Sequence, residues 1–162
     1  MNALPRRSVY CRPMKILLAK FASAMAVLAL GSSAALAAAG WDDDYDKAVA
    51  QAKADKKMVL MDFTGSDWCG WCIKLDKEVF SKKEFKDYAK ENLVLLEVDF
   101  PQSKTQPKKL KQQNEKLQGQ FGIKGYPTIV VLNSEGKKVG ELGYMEGGPT
   151  AFLAELNKLK GK

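Results

Sequence analysis

Two cysteines separated by two residues, Cys69 and Cys72, carry the most reactive chemistry in this 162-residue chain. They stand in the run Trp68-Cys69-Gly70-Trp71-Cys72. A thiolate, not a thiol, attacks a disulfide, and a second thiol one helical turn away can resolve the mixed disulfide that results. A Cys-x-x-Cys that follows a strand and opens a helix is a redox signature. At a helix N-terminus Cys69 would meet unpaired amide groups and the positive end of the helix dipole, and both favour its thiolate. Two other uses of the pair stand beside redox chemistry: an inert structural disulfide and metal ligation. A disulfide across so short a loop staples little, because the gain from loop closure grows with loop length. Two thiolates make an incomplete zinc site, and the chain has no histidine to complete it. The missing histidine also excludes Ser-His-Asp and Cys-His catalysis and a histidine pH switch.

Stepping outward from the pair, the run Met58–Phe63 reads as a buried strand and Thr64–Trp68 as a loop. A helix is expected from Cys69 to about Val79. Upstream, Trp41-Asp-Asp-Asp44 opens a helix from Tyr45 to about Lys57, with acids where the dipole favours them. Ser81-Lys-Lys-Glu84 has capping-box spacing and predicts a helix to about Glu91. Leu93–Asp99 is a second strong strand, Pro101–Pro107 a loop and Lys108–Leu117 a polar helix. Ile129–Asn133 and Lys138–Tyr144 read as a hairpin around Ser134-Glu-Gly136. Pro149 suits the first turn of a last helix, whose apolar stripe runs Phe152, Leu153, Leu156, Leu159. The order α, β, α, α, β, α, β, β, α predicts an α/β domain with one mixed sheet covered by helices on both faces.

Four features together resemble the thioredoxin superfamily over nearly all of residues 41–160. The strand Val59–Phe63 leads into the Trp-Cys-x-x-Cys run, and the strand Leu93–Asp99 follows in place. Gly125-Tyr126-Pro127-Thr128 matches the family's Gly-x-Pro-Thr, and a hairpin with a terminal helix closes the chain. The resemblance implies a thioredoxin fold with an extra N-terminal helix. It implies an exported thiol–disulfide oxidoreductase with Cys69 and Cys72 catalytic and their disulfide in place of any cofactor or metal. Pro127 should follow a cis peptide bond, a rarity almost confined to proline, and Tyr126 with Pro127 should line the substrate groove. Asp62 resembles the family's buried acid, which assists proton transfer to the resolving cysteine. Thioredoxin has that acid one residue nearer its motif, and the lysine that often accompanies it is Leu95 at the apparent position. Trp71 replaces thioredoxin's proline between the cysteines. Trp68, Gly70 and Trp71 are expected to shape the helix entry, with Trp71 a candidate substrate contact, and Asp67 is expected to be solvated. A reductase or isomerase is favoured over a primary oxidant, since Gly70-Trp71 offers no histidine to stabilise the reduced thiolate. The alternative is a non-catalytic binding module on the same scaffold, because fold does not fix function. A thiolate metal-binding protein is the weaker option.

The formal charge of +7 suggests nucleic acid or an acidic membrane until its position is considered. Residues 1–39 hold five basic residues, including all three arginines, and none of the 19 acids. A basic stretch, the short apolar run Phe21–Leu30 and an Ala35-Leu36-Ala37 site describe a secretory signal peptide over residues 1–37, or to Ala39. Its removal leaves residues 41–162 as the domain, near +2 and without arginine, so nucleic-acid binding loses its support. It also discards Cys11 and leaves only the Cys69–Cys72 pair. The expected partners are protein thiols and disulfides and a membrane-bound or soluble electron donor. The expected state is a monomer in the periplasm or outside the cell.

Overall fold

The computed structural model describes residues 40–160. The expected signal peptide lies outside the described residues. Five strands form one mixed sheet in the order β1-β3-β2-β4-β5, built from Trp41–Asp42 (β1), Met58–Thr64 (β2), Leu93–Asp99 (β3), Thr128–Leu132 (β4) and Lys138–Leu142 (β5). The strands β1, β3 and β2 run parallel, while β4 is antiparallel to β2 and β5 to β4. All seven residues of β2 are buried. A central strand covered on both faces needs this continuous apolar run, broken here only by Asp62 and Thr64.

The helices divide between two cores. Tyr45–Asp55 (α1) and Lys108–Phe121 (α4) cover one face, over Val59, Met61, Phe63 and Leu96. Gly70–Leu75 (α2), Lys83–Asn92 (α3) and Gly148–Asn157 (α5) cover the other, over Leu60, Leu95, Ile129 and Val131. Asp44 caps α1, its carboxylate accepting from the Lys47 amide at 3.0 Å. Gln113 on α4 ties down the same end: its Nε2 donates to the Asp43 carbonyl and its Oε1 accepts from the Tyr45 amide. Gly122, at a φ of 67°, ends α4 in the left-handed conformation that favours glycine.

Three expectations need correction. Trp41 and Asp42, expected only to open the first helix, form a strand; two residues carry no periodicity, and only pairing with Leu95 and Leu96 makes them one. The helix expected over Cys69–Val79 is α2 followed by a π-helical turn, Asp76–Phe80. The capping box at Ser81 does not form. The Ser81 hydroxyl donates to the Asp76 carbonyl at 2.7 Å, so it closes the π turn, and α3 begins after Lys82 without a side-chain cap.

Candidate active site

The end of β2 delivers the chain to the cysteines through a four-residue loop, Gly65–Trp68. The amides of Trp68 and Cys69 both donate to the Gly65 carbonyl, so the loop closes tightly before α2 starts. Cys69 is the cap residue of α2, in extended conformation, and its Sγ accepts from the Cys72 amide at 3.2 Å. The two cysteines form a disulfide with Cα atoms 5.2 Å apart. Both are nearly buried, with 7% of Cys69 and 5% of Cys72 exposed. The α2 geometry therefore aims a backbone donor at Cys69 and turns Cys72 inward. Gly70 has open space where a side chain would begin.

An aromatic rim surrounds the disulfide. Trp68 is 42% exposed and Trp71 57%. The indole N–H of Trp68 donates to the Phe100 carbonyl at 2.8 Å, and its ring stands edge-on to Tyr126 at 5.8 Å. Trp71 packs against Tyr144 at 5.0 Å. The Lys74 ammonium sits over both rings, 5.1 Å from Trp71 and 4.9 Å from Tyr144, a favourable placement against the aromatic quadrupole. The hydroxyl of Tyr144 donates to Glu78 at 2.8 Å, which ties the rim to the π turn. Sequence reasoning missed Tyr144 and Lys74, because their contacts span the hairpin and α2.

The peptide bond between Tyr126 and Pro127 is cis, as the resemblance implies. Tyr126 packs between Trp68 and Phe100, and its hydroxyl accepts from Gln118 Nε2 at 2.6 Å. The loop before β4 is thereby joined to the rim beside Trp68.

Asp67, expected to be solvated, is also a brace. Its carboxylate accepts from the backbone amides of Gln102 and Ser103 at 3.0 and 2.7 Å. These bonds, the Gln102 amide first, hold its pKa below the ordinary carboxylate value. Ser66 adds two bonds to Asp99, through its amide and its hydroxyl. The loop after β3 is thus fastened to the loop that precedes Cys69.

Beneath α2 lies Asp62, 8% exposed, with an Oδ1 that has no hydrogen-bond partner. It shares the sheet face of Leu60 and Ile129, the face on which α2 packs Leu75. Burial pushes its pKa from 3.8 up to about 8, with Glu97, Asp76 and Asp99 adding like charge. By the sequence pattern, Leu95 takes the position of the accompanying lysine. The register pairs Leu95 with Leu60 and sets Glu97 opposite Asp62. A carboxylate, not an ammonium, is therefore the cross-strand neighbour of the buried acid. Among the described residues, no group of three or more Cys, Asp and Glu is arranged to hold a metal ion.

Comparison with known proteins agrees with this geometry. Residues 45–160 match the profile of the thioredoxin-like domain. Disulfide bond reductase DsbH of Chlamydia pneumoniae is 38% identical over 114 residues, which cover 70% of this chain and 69% of that protein. The thiol:disulfide interchange protein DsbD of Klebsiella pneumoniae is 34% identical over 116 residues, covering 70% of this chain and 17% of that one. A solved structure of a DsbH oxidoreductase aligns with a TM-score of 0.70 at 37% identity, over 74% of this chain and 83% of that chain.

Proposed function

The chain belongs to the thioredoxin-like family and is a thiol–disulfide oxidoreductase, and on that premise we propose that it is an exported reductase or isomerase of protein disulfides. The observation that carries the reading is the Cys69–Cys72 pair closed at the head of α2, with a backbone amide on Cys69 Sγ and a buried, unpartnered carboxyl beneath.

In this reading the reduced Cys69 thiolate attacks a substrate disulfide, aided by the α2 amides in place of an imidazole. The Cys72 thiol then gives its proton to the ionised form of Asp62 and attacks Cys69 Sγ, which frees the reduced substrate. An acid whose pKa burial raises to about 8 is, once ionised, a stronger base than an ordinary carboxylate and so better suited to take a thiol proton. Tyr126 and Pro127 border the substrate path, and Trp71 offers it an aromatic contact. Reductase action is supported by the name of the Chlamydia pneumoniae relative. It requires an electron donor, membrane-bound or soluble, to return the pair to dithiol. Residues 1–37 serve as the export signal, and the domain works as a monomer.

The test pairs two variants. Cys69→Ala should abolish insulin-disulfide reduction by the purified domain, and activity retained at the wild-type level sinks the assignment. Cys72→Ala should accumulate mixed disulfides with partners, whose identities name the substrates. A measured potential near about −120 mV would assign an oxidant rather than a reductase.

A further inference from the structure

Within the sheet, Asp62 has an apolar neighbour on one side and a polar one on the other. Across β4 its register partner is Ile129, fully buried, and the covering helix brings Leu75 and Val79 into the core on that face. Across β3 its partner is Glu97, an exposed residue. Glu97 lines a cleft of about 320 Å³ together with Asp43, Ser66, Asp99, Lys104 and Asn114. The cleft lies between the end of β3, the start of α4 and the loop that joins them. A proton on Asp62 thus has a polar strand neighbour on one side only, and that neighbour stands in the wall of a cleft.

We propose that Glu97 is the proton exit of the resolving step, a positioning residue that acts through Asp62 and passes its proton to water in this cleft. The proposal rests on the reading of Asp62 as proton acceptor. In the mixed disulfide, the Cys72 thiol gives its proton to the Asp62 carboxylate. The Cys72 sulfur attacks Cys69 Sγ, the bond from Cys69 to the substrate sulfur breaks, and the substrate leaves as a thiolate with the electron pair. The dithiol has lost two electrons and the substrate disulfide has gained them. Asp62 is left protonated and must ionise before it can accept again. The Glu97 carboxylate takes that proton and yields it to the solvent.

The charges around the pair suit this transfer. Asp62 faces Glu97 and Asp99 from β3 and Asp76 from the π turn, all acidic. Glu97 faces Asp99, Asp76 and Asp43, and one cation, Lys104. Partial burial of its carboxyl, then Asp99, raise the Glu97 pKa as well, which narrows the step between donor and acceptor.

Stopped-flow reaction of the reduced domain with dithiobis(nitrobenzoate) separates the two chemical steps. Attack by Cys69 releases one thionitrobenzoate, and resolution by Cys72 releases the second. At about pH 6.5 Asp62 starts protonated and must lose its proton before Cys72 can resolve, so Glu97→Gln should slow the second phase there about fivefold or more. Added acetate, a small proton carrier, should restore it. A second phase that is unchanged or faster at that pH overturns the proposal and leaves Glu97 a fixed charge only, since loss of a negative neighbour eases ionisation of Asp62. A slowed phase that acetate does not restore overturns it too, because the defect is then structural. Asp62→Asn tells the two levels apart. If it leaves the second phase intact, the Asp62 reading falls and the exit with it. If it slows that phase while Glu97→Gln does not, only the exit falls.

Discussion

The two sides of the Cys69–Cys72 disulfide could hardly differ more. Outside, Trp68 and Trp71 stand 42% and 57% exposed, braced by Lys74, Tyr144 and Tyr126. Inside, Asp62 lies buried with an unpartnered oxygen and a proton it keeps to about pH 8. The rim spends apolar surface in water, which a fold that needed only stability would cover. The interior spends an uncompensated carboxyl, which stability alone would replace. Both are costs to the fold at one pair of cysteines, and under the proposed function they differ in kind: the rim would serve encounter with another chain, and the interior proton transfer.

The strongest way to break this comparison is to neutralise the interior. The unfolded chain ionises Asp62 near pH 4, whereas the folded chain holds the proton to about 8. Folding is therefore unpenalised below about pH 4, and stability is lost progressively as pH rises through 4 to 8. Asp62→Asn has no proton to take up on folding. It should gain about 2–4 kcal/mol over wild type at neutral pH in urea unfolding, and the gain should vanish toward pH 4. The same variant should slow resolution of the mixed disulfide roughly a hundredfold at neutral pH. A variant that is slower without being more stable would show that burial of Asp62 carries no penalty to folding.

A smaller effect is expected at the rim, and it should divide substrates by size. Trp71→Ala removes the more exposed ring and unseats Lys74. Catalytic efficiency, kcat/KM, toward a folded protein disulfide should fall by about five- to tenfold, the scale of one aromatic contact. Reaction with a small aromatic-free disulfide such as oxidised glutathione should change by less than about twofold, because Cys69 and the α2 amides are untouched. Equal losses on both substrates would move Trp71 from the binding surface to the thiol chemistry.

What could be read from the chain follows the same division. The buried strand Met58–Phe63, the Cys-x-x-Cys at a helix start and Gly125–Thr128 are local patterns, and the structure places them as expected. The partners of those elements are not local. Glu97 lies 35 positions from Asp62 in sequence, and only strand register sets them side by side. Asp67 looks like any loop acid until Gln102 and Ser103 fold back onto it. Ser81 satisfied a capping pattern, yet a competing carbonyl at Asp76 lay within reach of its hydroxyl. Sequence pattern thus conveyed the elements and the reactive pair, while the electrostatics of the interior and the bracing of the rim arise from contacts between distant segments.

Trp68 belongs to both regions, and it gives the finest test of where they meet. Its exposed face joins the rim, but its indole N–H is committed to the Phe100 carbonyl. The ring also lies flat against backbone: a Cβ at Gly65 would come within 2.5 Å of Trp68 Cε2, so only glycine admits the indole there. Trp68→Phe keeps an aromatic ring toward Tyr126 and deletes the donor together with the second ring of the indole. The Phe100 carbonyl can turn to water at this exposed site, so the cost should be about 0.5–1 kcal/mol in urea unfolding. Insulin-disulfide reduction should fall by less than with Trp71→Ala. If Trp68→Phe costs as much activity as Trp71→Ala at unchanged stability, the indole N–H serves the substrate rather than the brace, and the binding surface extends across both sides of Cys69.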